Sequence, residues 1–401
     1  MVSTNVLKTL HLDTGSKLVL MVLDGLGGLP HPHTGLTELE SAQTPNFDEL
    51  ARRGIVGLSE PIGPGITPGS GPGHLSLFGY DPVANNIGRG ALSALGIGLH
   101  LNSNDVAVRL NFCTLDQGGN VEDRRAGRIS TEKNRELIAT LSQISLEGVE
   151  IKLATESQHR AVLVLSGEGL HPGVRETDPQ MVGVPPLAPI AFAPAANRTA
   201  TVLQEFLDGV HRLIGELQPA NFVLMRGYAG LPLLESIEDI YGVDAACVAS
   251  YPMYKGLASV AGMTVLDTGN TVPGQMAAIR HHWDHHDFFF FHYKATDALG
   301  EDGNFEGKVA AIEEADALIP DLLQLDPEAI VVTGDHSTPA RLRQHSWHPV
   351  PFLLYAKHVI PDKAFEFGER SCGSGSLGLF SARRTMSLLS GYGGRLKKFG
   401  A

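Results

Sequence analysis

The residues of this chain best suited to chemistry are a serine set among small residues and three aspartates that close apolar runs. Ser70 lies in the segment TPGSGPGHLSLFGY, ahead of a predicted helix. Two roles fit it: a hydroxyl that caps the helix, or a nucleophile held near free backbone amides that can receive an anion. The segment alone favours the cap, so the choice between the two roles depends on the rest of the chain.

Each of three apolar runs ends in an aspartate. LVLMVLD ends at Asp24, FFFFHYKATD at Asp297 and AIVVTGD at Asp335. The carboxyl ends of parallel strands meet at one edge of a sheet, where ligands bind, so we expect these carboxylates to converge. A single such aspartate is usually a turn former. His336 in the DHS segment and His345 in RQHSWHP add imidazoles to the set, which favours a shared site.

Carboxylates brought this close repel one another, and a bound cation relieves the repulsion. Oxygen and imidazole donors together suit Mn, Zn, Co or Mg. Glu301 follows Asp297 by four residues in TDALGEDGNFEGK and can share its cation, with an acidic turn that caps the next helix as the alternative. We therefore predict a two-metal centre with about 3.5 to 4 Å between the ions. The two ligand groups are Asp24, Ser70, Asp335 and His336, and Asp297, Glu301 and His345.

Metal binding favours the nucleophile role for Ser70. A hydroxyl bound to a divalent cation loses its proton far more readily, as metal-bound water does. The small residues of GSGPG allow a phosphate and metals to approach closely, and the helix, expected to begin near Gly73, points amides at the anion. His74 is a candidate to contact the phosphate, with a solvated or hydrogen-bonded histidine at a helix start as the alternative.

The histidine-rich segment RHHWDHH is a weaker candidate for a site. It pairs His281 with His285 and His282 with His286 at the helical i, i+4 spacing that can bind zinc. It lacks a nearby carboxylate motif and precedes a strand, at the sheet edge opposite the aspartates, so we predict no functional site there. His348 is likewise expected to be structural.

The order of elements predicts an α/β fold with a mostly parallel sheet flanked by helices, because apolar runs of strand length alternate with helical patterns. A Pro-rich loop over residues 175–197 interrupts this alternation, and the regular pattern resumes from about Ala245. At 401 residues the chain also exceeds the size at which single cores stop growing. We therefore predict a discontinuous metal-binding domain of residues 1–84 and 241–401, with an inserted α+β substrate-binding domain of residues 85–240.

Composition limits the partners. With 44 acidic and 31 basic side chains the formal charge is -13, which argues against nucleic acid or an anionic membrane as partner. The three cysteines lie far apart and suggest neither a disulfide framework nor a thiolate metal site, which fits a reducing cytoplasm. There is no apolar signal core at the N-terminus and no run of about 20 apolar residues. We expect a soluble cytoplasmic protein whose partner is a small molecule.

Segments in a specific order along almost the whole chain resemble the archaeal-type cofactor-independent phosphoglycerate mutases of the alkaline phosphatase superfamily. They are MVLDGLGG, TPGSGPGHLSLFGYDP, DRRAGRI, YPMYKGLASVAGM, KATDALGEDGNFEGKV, VTGDHSTP and KKFGA. The resemblance implies an alkaline-phosphatase-like domain with two metal ions, Mn being expected first, and no 2,3-bisphosphoglycerate. It also implies interconversion of 2- and 3-phosphoglycerate through a phosphoserine at Ser70, with the metal ligands Asp24, Asp297, Glu301, Asp335, His336 and His345.

The inserted domain is expected to hold the glycerate with guanidinium groups, which grip phosphate and carboxylate through paired hydrogen bonds. The candidates lie in EDRRAGR, QHRAV, LMRGYAG and MYKG, although a single arginine is more often a solvated surface residue. Closure of the insert would exclude water, which would otherwise hydrolyse the phosphoserine. The candidate residues are Asp123, which would also handle protons, Arg124, Arg128, Arg160, Arg226 and Lys255.

The chain departs from the family pattern at three positions. Glu301 stands where many relatives have histidine, Gly71 replaces an aspartate after the nucleophile, and Gln180 replaces a histidine. Three other functions stay open from the residues alone: a metal-dependent phosphohydrolase or phosphonate hydrolase, a mutase of another phosphorylated metabolite, and a catalytically silent sensor of such metabolites. The residues alone indicate no particular oligomeric state.

Overall fold

A computed structural model describes residues 4–85 and 87–400 of the chain. The predicted ends of the outer domain, residues 1 and 401, lie outside the described residues. The chain divides into two compact units, one of residues 1–86 and 234–401 and the other of residues 87–233. The metal-binding and substrate-binding roles assigned to these units from the sequence stay predictions.

The described strands follow one another along the chain with these bounds: β1 (Leu18–Leu23), β2 (Ile55–Glu60), β3 (Asp105–Leu115), β4 (Val121–Asp123), β5 (Glu150–Ser157), β6 (Arg160–Ser166), β7 (Phe222–Ala229), β8 (Ala245–Val248), β9 (Thr264–Val265), β10 (Phe288–Tyr293), β11 (Ala329–Thr333), β12 (Val350–Ala356) and β13 (Gly378–Ser381).

The described α-helices, also in chain order, are α1 (Thr4–Leu10), α2 (Glu38–Ser41), α3 (Pro45–Arg53), α4 (Ser70–Leu77), α5 (Arg89–Gly96), α6 (Thr131–Leu141), α7 (Asn197–Ile214), α8 (Ile237–Tyr241), α9 (Pro252–Val260), α10 (Val272–His282), α11 (Ala295–Asp302), α12 (Phe305–Asp316), α13 (Ile319–Leu323), α14 (Glu369–Gly373) and α15 (Thr385–Tyr392).

The outer unit is built on a sheet with the strand order β13-β2-β12-β11-β1-β10-β8-β9. Strand β12 runs antiparallel to β2 and β11, and the other pairs of neighbours are parallel. Every residue of β1 is buried, as expected for an apolar strand covered by helices on both faces. The predicted α/β class with a mostly parallel sheet is confirmed.

Helix α8 belongs to the outer unit, where it packs against α1. The predicted insert extended to residue 240 and so included most of this helix, whereas the compact unit ends at residue 233. The segment FEGKVAAIEEADALIPDLLQL does not form one continuous helix. It forms α12 and α13 because Pro320 favours a new helix start and cannot continue the preceding one.

The unit of residues 87–233 contains an antiparallel sheet in which β3 pairs with β4, β6 and β7, and β5 pairs with β6. Helices α6 and α7 cover one face, where Phe112, Leu163 and Phe206 lie in a common core. Helix α5 covers part of the other face. The unit thus has the α+β architecture that was predicted for the insert.

Every helix within residues 4–85 and 87–400 is too short or too polar to serve as a membrane span.

Candidate active site

Loops at the carboxyl edge of the large sheet carry Asp24, Asp335 and His336, three of the predicted ligands. Strand β1 lies between β10 and β11 in parallel register, so the loops that follow these strands start side by side. Asp24 follows β1, and Asp335 and His336 follow β11. The Nε2 atom of His336 lies 3.3 Å from Oδ1 of Asp24 and 3.3 Å from Oδ2 of Asp335. Chain topology therefore brings together three fully buried polar side chains from distant segments.

Asp297 lies on a helix and not at a strand end, which corrects the expectation from the sequence. Strand β10 ends at Tyr293, and Asp297 occupies the first turn of α11, with Glu301 one turn further on. A spacing of four residues places both carboxylates on one helix face. The helix ends at Gly303, whose φ of 73° is favourable for glycine. The acidic segment is therefore itself a helix and does not cap the next one, a role that the side chain of Asn304 fills for α12.

His345 contacts both the carboxylates of α11 and His336, which belongs to the group of Asp24 and Asp335. Its Nε2 atom lies 3.5 Å from Oδ1 of Asp297 and 3.8 Å from Oε1 of Glu301. Its ring stacks on that of His336, with the centroids 3.7 Å apart. The two ligand groups predicted from the sequence are consequently neighbours in the outer unit.

Hydrogen bonds determine which ring nitrogen of each histidine is free. The Nδ1 atom of His345 lies 2.9 Å from the carbonyl oxygen of Pro68 and donates to it. The hydroxyl of Thr338 has one hydrogen, which it donates to Oδ1 of Asp297 at 2.7 Å, so it accepts from Nδ1 of His336 at 3.0 Å. In its neutral form each histidine therefore carries its hydrogen on Nδ1, which leaves Nε2 as the nitrogen that can bind a metal ion.

The donor set fits divalent cations. Among the described residues, ligand atoms lie within 4.8 Å of one another in two groups, Asp24 with Asp335 and His336, and Asp297 with His336 and His345. His336 thus belongs to both groups, whereas the sequence placed it only with Asp24. Buried Oδ1 of Asp24 and Oδ2 of Asp335 have no hydrogen-bond partner among the described residues. A bound cation would satisfy these oxygens, which are costly to bury without a partner.

Charges around the site favour the protonation states that metal binding needs. Burial alone would raise the pKa of Asp24, but Lys294, His292 and His336 hold it well below its usual range. Burial and the Asp24 charge raise the pKa of Asp335, yet His336 and His74 bring it below its ordinary value. Burial also lowers the pKa of His336. Two ionised carboxylates and a neutral imidazole are the ligand forms that bind a cation.

Lys294 and Tyr254 are site residues that the sequence analysis missed. The Nζ atom of Lys294 lies 2.9 Å from Oδ2 of Asp24 and also donates to Asp297, so one ammonium contacts both ligand groups. Burial lowers the pKa of Lys294, but Asp24, Tyr254 and Asp297 raise it above its usual range. The hydroxyl of Tyr254 donates to Asp24. The available signal was the position of Lys294 directly after β10 and three residues before a candidate ligand.

Ser70 does not cap its helix. Helix α4 begins at Ser70 and not near Gly73, and its N-cap residue is Gly69, which leaves the hydroxyl free of a capping bond. The Oγ atom of Ser70 instead lies 3.2 Å from Nε2 of His336. An added Cβ at Gly73 would lie 2.4 Å from the backbone oxygen of Asp335, so glycine is needed for α4 to approach the ligand loop.

His74 is buried behind a candidate ligand. Its Nδ1 atom lies 2.8 Å from the carbonyl oxygen of Ser70 and 3.1 Å from Oδ2 of Asp335. Burial lowers the pKa of His74, but the Asp335 charge raises it above the ordinary value. The structure places the ring in contact with Asp335, and the expected contact with phosphate stays a prediction.

The substrate-binding candidate Lys255 follows Tyr254 on α9. Its Nζ atom donates to Oδ1 of Asn270 at 3.0 Å. The side chain is partly buried, and its contact with substrate stays a prediction.

In the unit of residues 87–233, Asp123 organises a tight turn. Its two carboxylate oxygens accept from the backbone N–H of Arg125 at 2.8 Å and of Gly127 at 2.6 Å. Ala126 and Arg128 have φ values of 47° and 52°, which L residues rarely adopt. The carboxylate predicted to handle protons therefore also holds a strained turn that carries the exposed Arg128 side chain.

Asp178 joins two of the candidate arginines. Arg124 donates to both carboxylate oxygens of Asp178, at 2.9 and 2.7 Å. Arg226 Nη1 lies 3.5 Å from Oδ2 of the same carboxylate. Asp178 was not among the predicted site residues, although Gln180, named as a departure from the family pattern, lies two positions further on. The two hydrogen bonds from Arg124 to Asp178 fix the orientation of the Arg124 guanidinium.

Arg160 and Arg226 lie on one face of the antiparallel sheet. Arg160 is paired with Asn111 on β3, and Arg226 is paired with Arg109. Asn111 and Arg109 are two residues apart on one strand, so they and their partners share a face. The sheet therefore brings together two of the four arginines proposed to bind substrate.

The histidine-rich segment forms no metal group among the described residues. Helix α10 ends at His282, so His285 and His286 lie beyond it and the predicted helical i, i+4 pairs are not formed. His286 Nδ1 instead donates to Oδ1 of Asp244 at 2.7 Å. His348 Nδ1 lies 3.1 Å from Ser346 Oγ.

Comparison with known proteins places the chain among mutases. The model of the 2,3-bisphosphoglycerate-independent phosphoglycerate mutase family matches residues 51–220. One relative is a Thermus thermophilus protein named probable 2,3-bisphosphoglycerate-independent phosphoglycerate mutase. The two chains are 49% identical over 401 residues, and the alignment covers 99% of each chain. A Deinococcus radiodurans protein of the same name is 48% identical over 396 residues, with 97% of each chain covered.

Two solved structures are similar over nearly their whole length. A protein from Pyrococcus horikoshii has a TM-score of 0.84 at 31% identity, with 96% of this chain and 99% of that chain covered. The cofactor-independent phosphoglycerate mutase from Thermoplasma acidophilum has a TM-score of 0.71 at 32% identity, with 94% and 100% covered. Together with identity near one half over the full chain, these likenesses show that the protein belongs to the 2,3-bisphosphoglycerate-independent phosphoglycerate mutase family.

Proposed function

We propose that this chain interconverts 2-phosphoglycerate and 3-phosphoglycerate through a phosphoserine at Ser70, with two divalent metal ions and without 2,3-bisphosphoglycerate. Membership of the mutase family supports the substrate class. The observation that carries the mechanism is the position of the Ser70 hydroxyl, 3.2 Å from an imidazole that belongs to both candidate metal groups.

Two groups of carboxylate, hydroxyl and imidazole side chains would hold the metal ions. We expect Mn first, with Zn, Co or Mg as alternatives. Bound divalent ions supply two effects, a lower pKa for a hydroxyl ligand and neutralisation of phosphate charge. One group is Asp24, Ser70, Asp335 and His336; the other is Asp297, Glu301 and His345, with His336 near both.

In the first half-reaction the Oγ atom of Ser70 forms a bond to phosphorus while the bond from phosphorus to the glycerate oxygen breaks. Ser70 gives up its proton, and the released glycerate oxygen takes one up. In the second half-reaction the oxygen of the other glycerate hydroxyl forms a bond to phosphorus while the bond from phosphorus to Oγ of Ser70 breaks. That hydroxyl gives up its proton, and Ser70 takes one up. A phosphate on Ser70 lies at the amino end of α4, where backbone amides and the helix dipole favour an anion.

We propose that a defined set of side chains, most of them basic, recognises the substrate. Guanidinium groups suit the carboxylate and phosphate of phosphoglycerate because they donate paired hydrogen bonds. The orientation of Arg124 by Asp178 supports its part in this set. Asp123 is proposed to transfer protons between glycerate oxygens. The full set is Asp123, Arg124, Arg128, Arg160, Arg226, Lys255 and His74.

The proposal extends to the cellular setting. The charge of -13 is unfavourable for binding nucleic acid or anionic membrane, and the three cysteines are buried and free. We therefore propose a cytoplasmic enzyme whose partner is a small phosphorylated molecule.

The test is an assay of the purified chain with Mn²⁺ and 3-phosphoglycerate, in which 2-phosphoglycerate and free phosphate are both measured. We expect isomer formation without equivalent phosphate release. Ser70→Ala should abolish turnover while the protein still binds Mn²⁺. Phosphate release without the isomer would replace the proposal with a phosphohydrolase, and full activity of Ser70→Ala would exclude the phosphoserine.

A further inference from the structure

Lys308 is a lysine with no solvent exposure in the interior of the outer unit. It lies on α12, in the GNFEGK segment, and is not one of the predicted ligands. Its three ammonium hydrogens have three backbone acceptors: the carbonyl oxygens of Gly25 at 2.9 Å, Gly27 at 3.1 Å and Thr338 at 2.9 Å. The donor capacity of the group is therefore fully used.

The three acceptors belong to the two loops that carry ligands. Gly25 follows Asp24 directly, and its backbone N–H donates to Oδ1 of Asp335 at 3.1 Å. The hydroxyl of Thr338 bonds both His336 and Asp297. A single ammonium thus ties the loop after β1 to the loop after β11, within one or two residues of ligands on each.

A buried carboxylate completes the arrangement. Glu38 Oε1 lies 3.9 Å from the Nζ atom of Lys308 and accepts from the backbone N–H of Ala340 at 2.7 Å. Ala340 lies on the same loop as Thr338, so the ion pair also anchors that loop to α2. Burial lowers the pKa of Lys308 and the Glu38 charge raises it, with burial the larger effect.

We propose that Lys308 is a positioning residue for the metal centre: its ammonium sets the separation of the β1 and β11 loops, and so the geometry in which their side chains hold the metal ions. The inference rests on the proposed function, because it requires that Asp24, Asp335 and His336 bind metal. Residues that orient metal ligands from behind typically change metal affinity by about 10- to 100-fold when they are removed.

The test measures Mn²⁺ binding to the full-length chain, after removal of metal with a chelator, by electron paramagnetic resonance of free and bound Mn²⁺. The variants are Lys308→Met and the double variant Lys308→Met with Glu38→Gln. The double variant is needed because loss of the ammonium alone leaves a buried, uncompensated carboxylate that destabilises the fold. Circular dichroism checks that each protein is folded.

Lys17 offers a matched control in the same unit. Its Nζ atom donates to the carbonyl oxygen of His286 at 2.8 Å and lies 3.9 Å from Oδ1 of Asp287, at the opposite end of β1. Lys17→Met therefore removes a partly buried lysine that also bonds a backbone carbonyl but does not touch the ligand loops. It should lower thermal stability while leaving Mn²⁺ affinity unchanged.

We expect the folded Lys308 variants to bind Mn²⁺ about 10- to 100-fold more weakly than the wild type, with an altered spectrum of the bound ion. Wild-type affinity in the folded double variant would overturn the inference. So would failure of both variants to fold, since Lys308 would then support the fold as a whole. Absence of Mn²⁺ binding by the wild type would instead overturn the proposed function on which the inference rests.

Discussion

At the scale of single residues, the site depends on where individual protons lie. The hydroxyl of Thr338 has only one hydrogen, and Asp297 takes it, so His336 must donate from Nδ1 and keep Nε2 free. That nitrogen faces Ser70 and two carboxylates. The neutral side chain of Thr338, which is not a predicted ligand, therefore decides the tautomer of His336, which belongs to both candidate metal groups.

Replacement of Thr338 by valine tests this dependence. Thr338→Val keeps the shape but removes the hydroxyl, which leaves Nδ1 of His336 without its acceptor and takes the Thr338 donor from Oδ1 of Asp297, while Lys294 still donates to Oδ2. We expect Mn²⁺ affinity, measured by calorimetric titration, to fall about 10-fold or more. Thr385→Val is the control, because Thr385 is a buried threonine whose hydroxyl donates to Ala382 at 2.7 Å and touches no ligand. Equal affinities for the two variants would contradict the assignment.

At the scale of elements, helix packing sets the position of Ser70, the proposed nucleophile. Helix α4 carries Ser70 at its first position and lies against the loop that holds Asp335. The close approach requires glycine at Gly73, since an added Cβ would meet backbone atoms of Asp335 at 2.4 and 3.1 Å. Backbone at such distances cannot move aside as a flexible side chain can.

Gly73→Ala is therefore expected to displace α4 from the ligand loop. A displacement of about 1 Å at a catalytic group can lower the rate about 100-fold, and we expect a fall in kcat/KM of that order. Gly391→Ala is the matched control on α15, where the nearest atom to an added Cβ is Leu396 Cδ1 at 3.8 Å, an ordinary contact. Steady-state kinetics should show near wild-type activity for Gly391→Ala, and a fully active Gly73→Ala would refute the packing argument.

A second prediction at this scale concerns the ion pair of Arg124 and Asp178 in the unit of residues 87–233. Burial raises the pKa of Asp178, but Arg124, the backbone N–H of Gln180 and Arg226 bring it below its ordinary value. A carboxyl group whose pKa is lowered by folding stabilises the protein above its unfolded pKa of about 3.9, and the contribution is lost as pH falls. Asp178→Asn should therefore lower the thermal midpoint at pH 7 more than at pH 3, which lies below that unfolded pKa. A difference that is independent of pH would show that the charge of Asp178 contributes nothing.

At the scale of the whole molecule, the proposed metal centre lies within one of the two compact units. All seven predicted ligands belong to residues 1–86 and 234–401, as do both tryptophans, Trp283 and Trp347. Tryptophan fluorescence therefore follows the unfolding of the outer unit alone. Ligands that bind only the folded state stabilise it, by about 2.7 kcal/mol at a free concentration 100 times Kd.

Metal removal should consequently act on the outer unit. We expect chelation to lower the midpoint of the fluorescence transition in thermal unfolding, and added Mn²⁺ to restore it. Circular dichroism, which reports on both units, should show a component that chelation does not move. A fluorescence midpoint indifferent to both chelator and Mn²⁺ would count against a metal centre in this unit.

The sequence by itself determined the α/β class, the central strands and the residue types at the centre. Runs such as LVLMVLD are apolar on both faces, so they form buried parallel strands, and topology brings their polar ends to one edge. These properties depend on local pattern and on general rules of sheet construction. They hold without knowledge of any particular neighbour.

Only the tertiary structure decided which groups touch the ligands and how. Lys294 and Lys308 resemble surface lysines in the sequence, yet Lys294 bonds two carboxylates of the candidate metal groups and Lys308 is fully buried. Asp297 reads as a strand end but lies on α11. The physical reason is that burial and hydrogen-bond pairing are properties of residues far apart in the chain, such as Lys308 and Gly25, and no local pattern contains them.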